Sequence, residues 1–319
     1  MYADDLVLLA ENEKLQKLLD CVTNWCTKWG LIVNMGKSNV IHFRRQKQPQ
    51  SKYKFILSGQ PLEYVKSYKY LGLEITCHLN YMSGIELLSD SASRALGMLR
   101  SRYKSLKYMG FATYNTIYES TVIPVMDYAS EIWGVTECPE GEIVQNQAAM
   151  SFLGVHRFAP VDGMQGDLGW ISSKTRRKVN VLRYWNRLVK MSGNRLTKHI
   201  FLWDHNINNK NWCANVREIL NEFSFQNDVF ECKNIINVDT LSKNAREYDA
   251  NCWKIRCIGK PKLRTYTKFK ESLNTEKYVK CNLSRKERSF LAQIRLCEFS
   301  SNQTIDDEEH FLFKCELNR

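Results

Sequence analysis

Asp4 and Asp5 are the first residues whose types and spacing could do chemistry, standing after Tyr2-Ala3 and before the apolar run Leu6–Ala10. Adjacent carboxylates can hold hard divalent cations, or they can cap a helix or turn; taken alone, the pair reads as a cap. A second set is cationic. Lys174–Lys198 holds nine basic residues and no acidic one, with Tyr184 and Trp185 among them. Arg176, Arg177, Lys178, Arg183 and Arg187 in that stretch suit phosphate contacts, with an aromatic ring to stack on a base. Leu182, Trp185, Leu188 and Val189 also fit a core stripe, which buries Trp185. The charge then carries the argument for nucleic acid, because uncompensated like charges repel.

The wider composition agrees with an anionic partner. The 319 residues include 46 Lys+Arg against 34 Asp+Glu, a formal charge of +12, and 44% hydrophobic residues. That length suits about two domains of about 150 residues, and the apolar share argues against disorder. The charge is uneven: Lys254–Arg288 holds twelve basic and three acidic residues, whereas residues 1–90 sum to +2. No apolar stretch is long enough for a transmembrane helix, and no membrane partner is expected. Asp4 and Asp5 stand where a signal peptide would be basic. Eleven cysteines, an odd number, then read as reduced thiols in an intracellular protein of nucleus and cytoplasm.

The elements that must position these residues follow from periodicity. Leu6–Ala10 reads as a buried strand. Leu15, Leu18, Leu19, Val22, Trp25, Cys26 and Trp29 form one helical stripe, with Asn12 as N-cap and Gly30 as the left-handed stop. Asn39–Arg44 alternates as a strand. Tyr53–Leu57 and Val65–Ile75 read as arms of a further hairpin about Ser58-Gly59-Gln60-Pro61. Ile85, Leu88, Ala92, Ala95, Leu96, Leu99, Tyr103 and Leu106 make a second helical stripe. Helical pattern continues to Arg195, with breaks at Gly110, Pro124, Pro139–Gly141 and Pro160–Gly169. Residues 199–250 are Asn-rich and weakly patterned, as in a linker or loosely packed region.

The order of these features resembles the second half of the palm of a reverse transcriptase, and more narrowly the polymerase of LINE-type (non-LTR) retrotransposons. The residues that carry the resemblance are Tyr2-Ala3-Asp4-Asp5, the helix ending Trp29-Gly30-Leu31, Asn34 with Lys37-Ser38, and Tyr68-Lys69-Tyr70-Leu71-Gly72. Further on, Leu153-Gly154-Val155, Gly166-Asp167-Leu168-Gly169-Trp170, Val181–Leu188 and Lys262–Tyr266 resemble the region behind the thumb. The resemblance implies nucleotidyl transfer with two Mg²⁺ ions held by carboxylates. Asp4 would face the metals, with Asp5 as the weaker or outer partner. It implies that Lys37 approaches the triphosphate and protonates the leaving group, the other reading being a solvated loop lysine. Tyr70, Leu71 and Gly72 would grip the primer, or form a plain hairpin strand. Arg94, Arg100, Arg102, Lys104 and Lys107 would line a thumb helix that tracks a duplex through its phosphates. The implied partners are RNA and DNA, as an RNA–DNA duplex, and dNTP in the complete enzyme without another small-molecule cofactor.

Two departures from the family bear on activity. The third palm carboxylate and the fingers would precede Met1, and Asp20, Asp90 and Asp127 fall in helical patterns. The expectation is a C-terminal remnant of a polymerase that does not polymerise alone. The tail resembles the family's C-terminal Cys-Cys-His-Cys element, which would make Cys297, His310 and Cys315 zinc ligands; one ligand is absent, and a degenerate site with free thiols is the alternative. Cys252 and Cys257 read as core thiols. The expected fold is α+β: a partial palm of antiparallel strands plus a helix over residues 1–76, a helical thumb and extension over 77–198, and a mostly helical basic region over 199–319. The function expected is a fragment of an RNA-directed DNA polymerase. A non-catalytic nucleic-acid-binding remnant, or an inactive open reading frame of a transposable element, is the alternative.

Overall fold

The computed structural model describes residues 5–11, 14–106, 108–207 and 211–296. Asp4, Asn12, Lys107, Cys297, His310 and Cys315 lie outside them. The chain divides into two units, residues 1–84 and 85–319.

In the first unit the Leu15–Trp29 stripe folds as α1 (Lys14–Trp29), stopped at Gly30 with φ +63°. Leu19 and Cys26 are buried, whereas Trp25 and Trp29 of the same stripe are exposed. The helix holds the neighbouring strand by side-chain mimicry of a β ladder. The Gln16 amide donates to the Ile56 carbonyl and accepts from the Ile56 N–H, both at 2.8 Å. Thr23 Oγ1 accepts from the Ser58 N–H at 3.2 Å. Backbone groups of an unpaired edge are thus satisfied by side chains. The small core beneath is Leu19, Val40, Phe55 and Leu57.

The strands pair differently from the sequence expectation. They form three two-stranded ladders. β1 (Asn39–Val40) runs parallel to β4 (Glu63–Tyr64); β2 (Ile56–Leu57) is antiparallel to β3 (Gln60–Pro61); β5 (Ser67–Tyr70) is antiparallel to β6 (Leu73–Thr76). The expected strand Asn39–Arg44 is therefore two residues long, and the expected single hairpin closes as two successive ones. Leu6–Ala10 carries no ladder, and Leu6, Val7 and Leu9 are exposed. An apolar run becomes a buried strand only where strands flank it, and none pairs with it among the described residues.

The second unit is helical. It comprises α2 (Met82–Ser105), which starts just before the division, α3 (Phe111–Ile117), a π turn at Tyr118–Val122, α4 (Ile123–Met126), α5 (Ser130–Trp133), α6 (Pro139–Leu153), α7 (Val161–Leu168) and α8 (Ser173–Lys190). Then come α9 (Leu196–Asn206), α10 (Trp212–Glu222), α11 (Asn227–Phe230), α12 (Val238–Ile258), α13 (Tyr266–Phe269), α14 (Lys277–Lys280) and α15 (Arg285–Arg295). The α2 stripe is buried at Ile85, Leu88, Ala92, Leu96, Leu99 and Tyr103, while Leu106 is exposed. The break expected over Pro160–Gly169 is instead α7, which proline opens and Gly169 closes.

Residues 199–250 are not a loose linker. Phe201, Val216, Ile219, Phe223, Phe230 and Leu241 share a buried core with Leu182 and Trp185 of α8. Asparagines there act as caps and struts, which hides the apolar pattern. Asn211 and Asn237 cap α10 and α12, and the Asn244 amide donates to the Phe223 carbonyl at 2.8 Å; from α8, the Asn186 amide clamps the Ile236 backbone through both its oxygen and its nitrogen.

A larger core joins α2, α3, α6, α7, α12 and the helices beyond, and a buried carboxylate pins its far end. Asp167 has no exposed surface. Arg295 grips it at both oxygens, at 3.1 and 3.0 Å, and the hydroxyls of Tyr266 and Tyr278 donate to it at 3.0 and 2.6 Å. Burial opposes the Arg295 charge, but hydrogen bonding and attraction to Asp167 outweigh it and hold its pKa above the usual arginine value. The flanking glycines are required by close approach. A Cβ on Gly166 would lie 2.3 Å from the Tyr266 hydroxyl oxygen, and one on Gly169 (φ +67°) 2.4 Å from the Thr275 nitrogen. Removing one partner from such a buried pair costs about 3–5 kcal/mol. Asp167→Asn is therefore expected to lower unfolding free energy by that order in urea titrations followed by tryptophan fluorescence. Lys233→Ala, which breaks an exposed pair with Glu231, should leave it unchanged within the error of the titration, because water and salt screen such a pair.

Candidate functional site

Asp5 is exposed at the start of the described chain. Lys37 ends a short 3₁₀ turn (Met35–Lys37), and its side chain is exposed. The turn is held from both directions. Lys37 N–H donates to the Asn34 carbonyl at 3.1 Å, the Ser38 hydroxyl donates to the same carbonyl at 2.9 Å, and the Tyr68 hydroxyl donates to the Lys37 carbonyl at 2.9 Å. Tyr68 lies on β5, so it fixes the lysine's backbone to the hairpin that carries Tyr70, Leu71 and Gly72. Among the described residues no hydrogen bond or ion pair joins Asp5 to Lys37. No group of three His, Cys, Asp or Glu side chains able to hold a metal converges among them either. The described residues alone therefore do not fit a two-Mg²⁺ site, whose other expected ligand, Asp4, lies outside them.

Tyr70, Leu71 and Gly72 are not mid-strand residues. Tyr70 ends β5, Leu73 begins β6, and Leu71 and Gly72 form the two-residue turn between them. Both have positive φ, +47° and +91°, as a type I′ turn requires. Glycine takes that conformation freely, whereas leucine there costs about 1–2 kcal/mol. Sequence reasoning missed this because Leu-Gly lacks the Asn-Gly or Asp-Gly signature of such turns. It missed Tyr68 because its hydroxyl bonds a backbone carbonyl 31 residues away in sequence.

In the helical unit, Arg94 and Lys104 are exposed on α2 and Arg100 is half-buried, with the Arg94 guanidinium donating to Ser91 Oγ at 2.8 Å. The basic helix α8 needs correction. Arg176, Arg177 and Lys178, expected at a nucleic-acid surface, are turned into the unit and matched by carboxylates from other segments. Arg176 Nε donates to Asp127 at 2.5 Å and its Nη1 to Gln145 at 2.9 Å. Arg177, 1% exposed, bonds Ser173 at 2.8 Å and pairs with Glu142 at 3.7 Å. Lys178 pairs with Glu222. Burial opposes the Arg176 charge, but Asp127 overcomes it and raises the pKa. A charge run in sequence says nothing of acids that arrive from elsewhere in the chain. Arg183 and Arg187 remain exposed on the same helix, and Trp185 is buried. Cys257 is also buried, and burial pushes its thiol up to about 12.

Residues 1–75 match the family described as reverse transcriptase (RNA-dependent DNA polymerase). A transposon-derived protein of Caenorhabditis elegans is 29% identical over 133 residues, which is 41% of this chain and 47% of that protein. The RNA-directed DNA polymerase from the mobile element jockey of Drosophila funebris is 24% identical over 141 residues, 42% of this chain and 15% of the relative. A 115 kDa protein in a type-1 retrotransposable element of Drosophila melanogaster is 24% identical over 139 residues, 41% of this chain and 13% of the relative. The chain thus spans less than half the length of each of these relatives. No solved structure matches. Residues 1–75 are thus similar to reverse transcriptases, and the chain is distantly similar to proteins of retrotransposable elements. No helix among the described residues is long and apolar enough to cross a membrane.

The left-handed Leu71 separates strain kept for contact from strain kept by chance. Leu71→Asn, which tolerates positive φ, is expected to raise unfolding free energy by about 0.5–1 kcal/mol. It should weaken binding of a primer–template duplex if the turn touches the primer.

Proposed function

We propose that this chain is part of an RNA-directed DNA polymerase of a non-LTR retrotransposable element, with Asp4 and Asp5 among the magnesium ligands of the complete polymerase. Lys37 and the Tyr70–Gly72 turn face the triphosphate and primer on this reading, and α2 presents Arg94, Arg100 and Lys104 to the backbone of an RNA–DNA duplex. The observation that carries the reading is the family match at residues 1–75 together with the Tyr68 hydrogen bond, which ties the lysine-bearing turn to the hairpin. Holding two loops in fixed register is what positioning catalysis asks of a scaffold. Zinc at Cys297, His310 and Cys315 belongs to the same proposal.

The second reading, a nucleic-acid-binding remnant without catalysis, draws on the exposed cations of α2 and α8. They give phosphate affinity without any carboxylate site.

Two measurements on the full chain test these readings. An RNA–DNA duplex is expected to bind with affinity that falls steeply with salt, and Arg94→Glu combined with Lys104→Glu should weaken it and flatten the slope by about two units. Salt-independent binding, or none, would remove both readings. Primer extension with Mg²⁺ is expected to give no incorporation by this chain alone; template-dependent incorporation lost in Asp4→Asn would show instead that it is a working polymerase.

A further inference from the structure

The helical unit contains a cleft of about 560 Å³ that none of the residues assigned above explains, except that Arg176 reaches it from one side. That volume lies in the range of sites for small ligands and is far too small for a duplex. Two features of its walls define what fits.

The first is a ring platform. Tyr118 of the π turn and Trp170 stack with centroids 4.8 Å apart and planes 13° from parallel. Trp170 Nε1 donates to Asn115 Oδ1 at 2.7 Å, which fixes the indole in place. All three residues line the cleft.

The second is a surplus of donors. Tyr118 is 2% exposed, and its buried hydroxyl has no hydrogen-bond partner among the described residues. Burial pushes that phenol up to about 12, so it keeps its proton to donate. Arg176 uses Nε and Nη1 on Asp127 and Gln145, but among the described residues its buried Nη2, like Oδ1 of Asp127 in the same pair, has no hydrogen-bond partner. Arg246 and Lys280 add two exposed cations to the lining, and neither makes an ion pair among the described residues. Glu119 is the one carboxylate among the lining residues described. Buried donors without acceptors are costly, and a phosphate supplies acceptor oxygens with matching charge.

We propose that this cleft holds one unpaired nucleotide of a single-stranded nucleic acid, its base against Trp170, which the buried Tyr118 ring backs, and its phosphate among Arg176, Arg246 and Lys280. The site lies wholly in the helical unit, outside the reverse-transcriptase segment, so it goes beyond the polymerase reading and stands independently of it. Stacking with cationic phosphate contact is the usual means of holding single strands without sequence preference.

The test uses the full chain and fluorescein-labelled oligouridylate, with oligothymidylate and free UMP as further arms. Arg246→Glu with Lys280→Glu changes two exposed side chains and leaves the interior pairs intact. It is expected to weaken both oligonucleotides by about tenfold or more and to reduce the salt slope by about 1.4, with RNA–DNA duplex affinity and melting temperature unchanged. Trp170→Leu should give a similar loss of single-strand affinity wherever its melting curve shows it folded. The proposal is overturned if the wild-type chain binds neither oligonucleotide, or if the double variant binds within about twofold of wild type. It is also overturned if free UMP binds as tightly as the oligonucleotides, or if duplex affinity falls in step with single-strand affinity. Failure of duplex binding by the α2 variants leaves this result readable on its own.

Discussion

A carboxylate taken out of water must be met by cations and hydrogen bonds, or it destabilises the fold. In this chain that requirement organises the helical unit. Asp167 gathers Arg295, Tyr266 and Tyr278, and so draws α13, α14 and α15 onto α7. Asp162 does the same with Arg256 and Lys260, while the Trp253 indole donates to its carbonyl at 2.7 Å. Asp249 accepts from the Ser172 N–H and from the hydroxyls of Ser172 and Thr175. It thus places a negative charge at the start of α8, where the helix dipole favours it. Aspartates of α7 and α12 therefore set where α8, α12, α13, α14 and α15 lie.

The same requirement redistributes the basic charge. Much of what reads in sequence as a positive surface is interior structure: Arg176 and Arg177 of α8, and Arg288, whose guanidinium donates to the Tyr103 hydroxyl at 2.8 Å and lies over the Phe152 ring. The cations left for an anionic partner are fewer and more specific in place. Among them are the polar face of α2, Arg183 and Arg187 on α8, and the lining of the Tyr118–Trp170 cleft. A chain of +12 need not be a uniformly sticky one.

How much was legible from sequence depended on whether a feature is local. The α1 and α2 stripes were readable because a helix is specified by residues three and four apart, and the stop at Gly30 needs one residue. The reverse-transcriptase resemblance was readable because its motifs are short and ordered. Strand pairing was not, since β1 chooses a parallel neighbour more than twenty residues away and the Leu71-Gly72 turn uses a leucine where the usual code has asparagine. The fate of Arg176, Arg177 and Lys178 was hidden for the same reason. Their acids, Asp127, Glu142 and Glu222, sit on three other helices or their ends. The Asn-rich stretch was misread because caps and struts such as Asn211, Asn237 and Asn244 look polar while they hold a core together.

The central claim is that interior carboxylates, and not the backbone of an RNA–DNA duplex, are the ion-pair partners of Arg176, Arg177 and Lys178 at the start of α8. A double-mutant cycle of Asp127→Asn and Arg176→Gln, read by urea unfolding of the full chain with RNA–DNA duplex affinity measured alongside, addresses it most directly. The account predicts a coupling energy above about 1 kcal/mol and duplex affinity unchanged in Arg176→Gln. Coupling near zero, with duplex affinity lost in that variant, would contradict it.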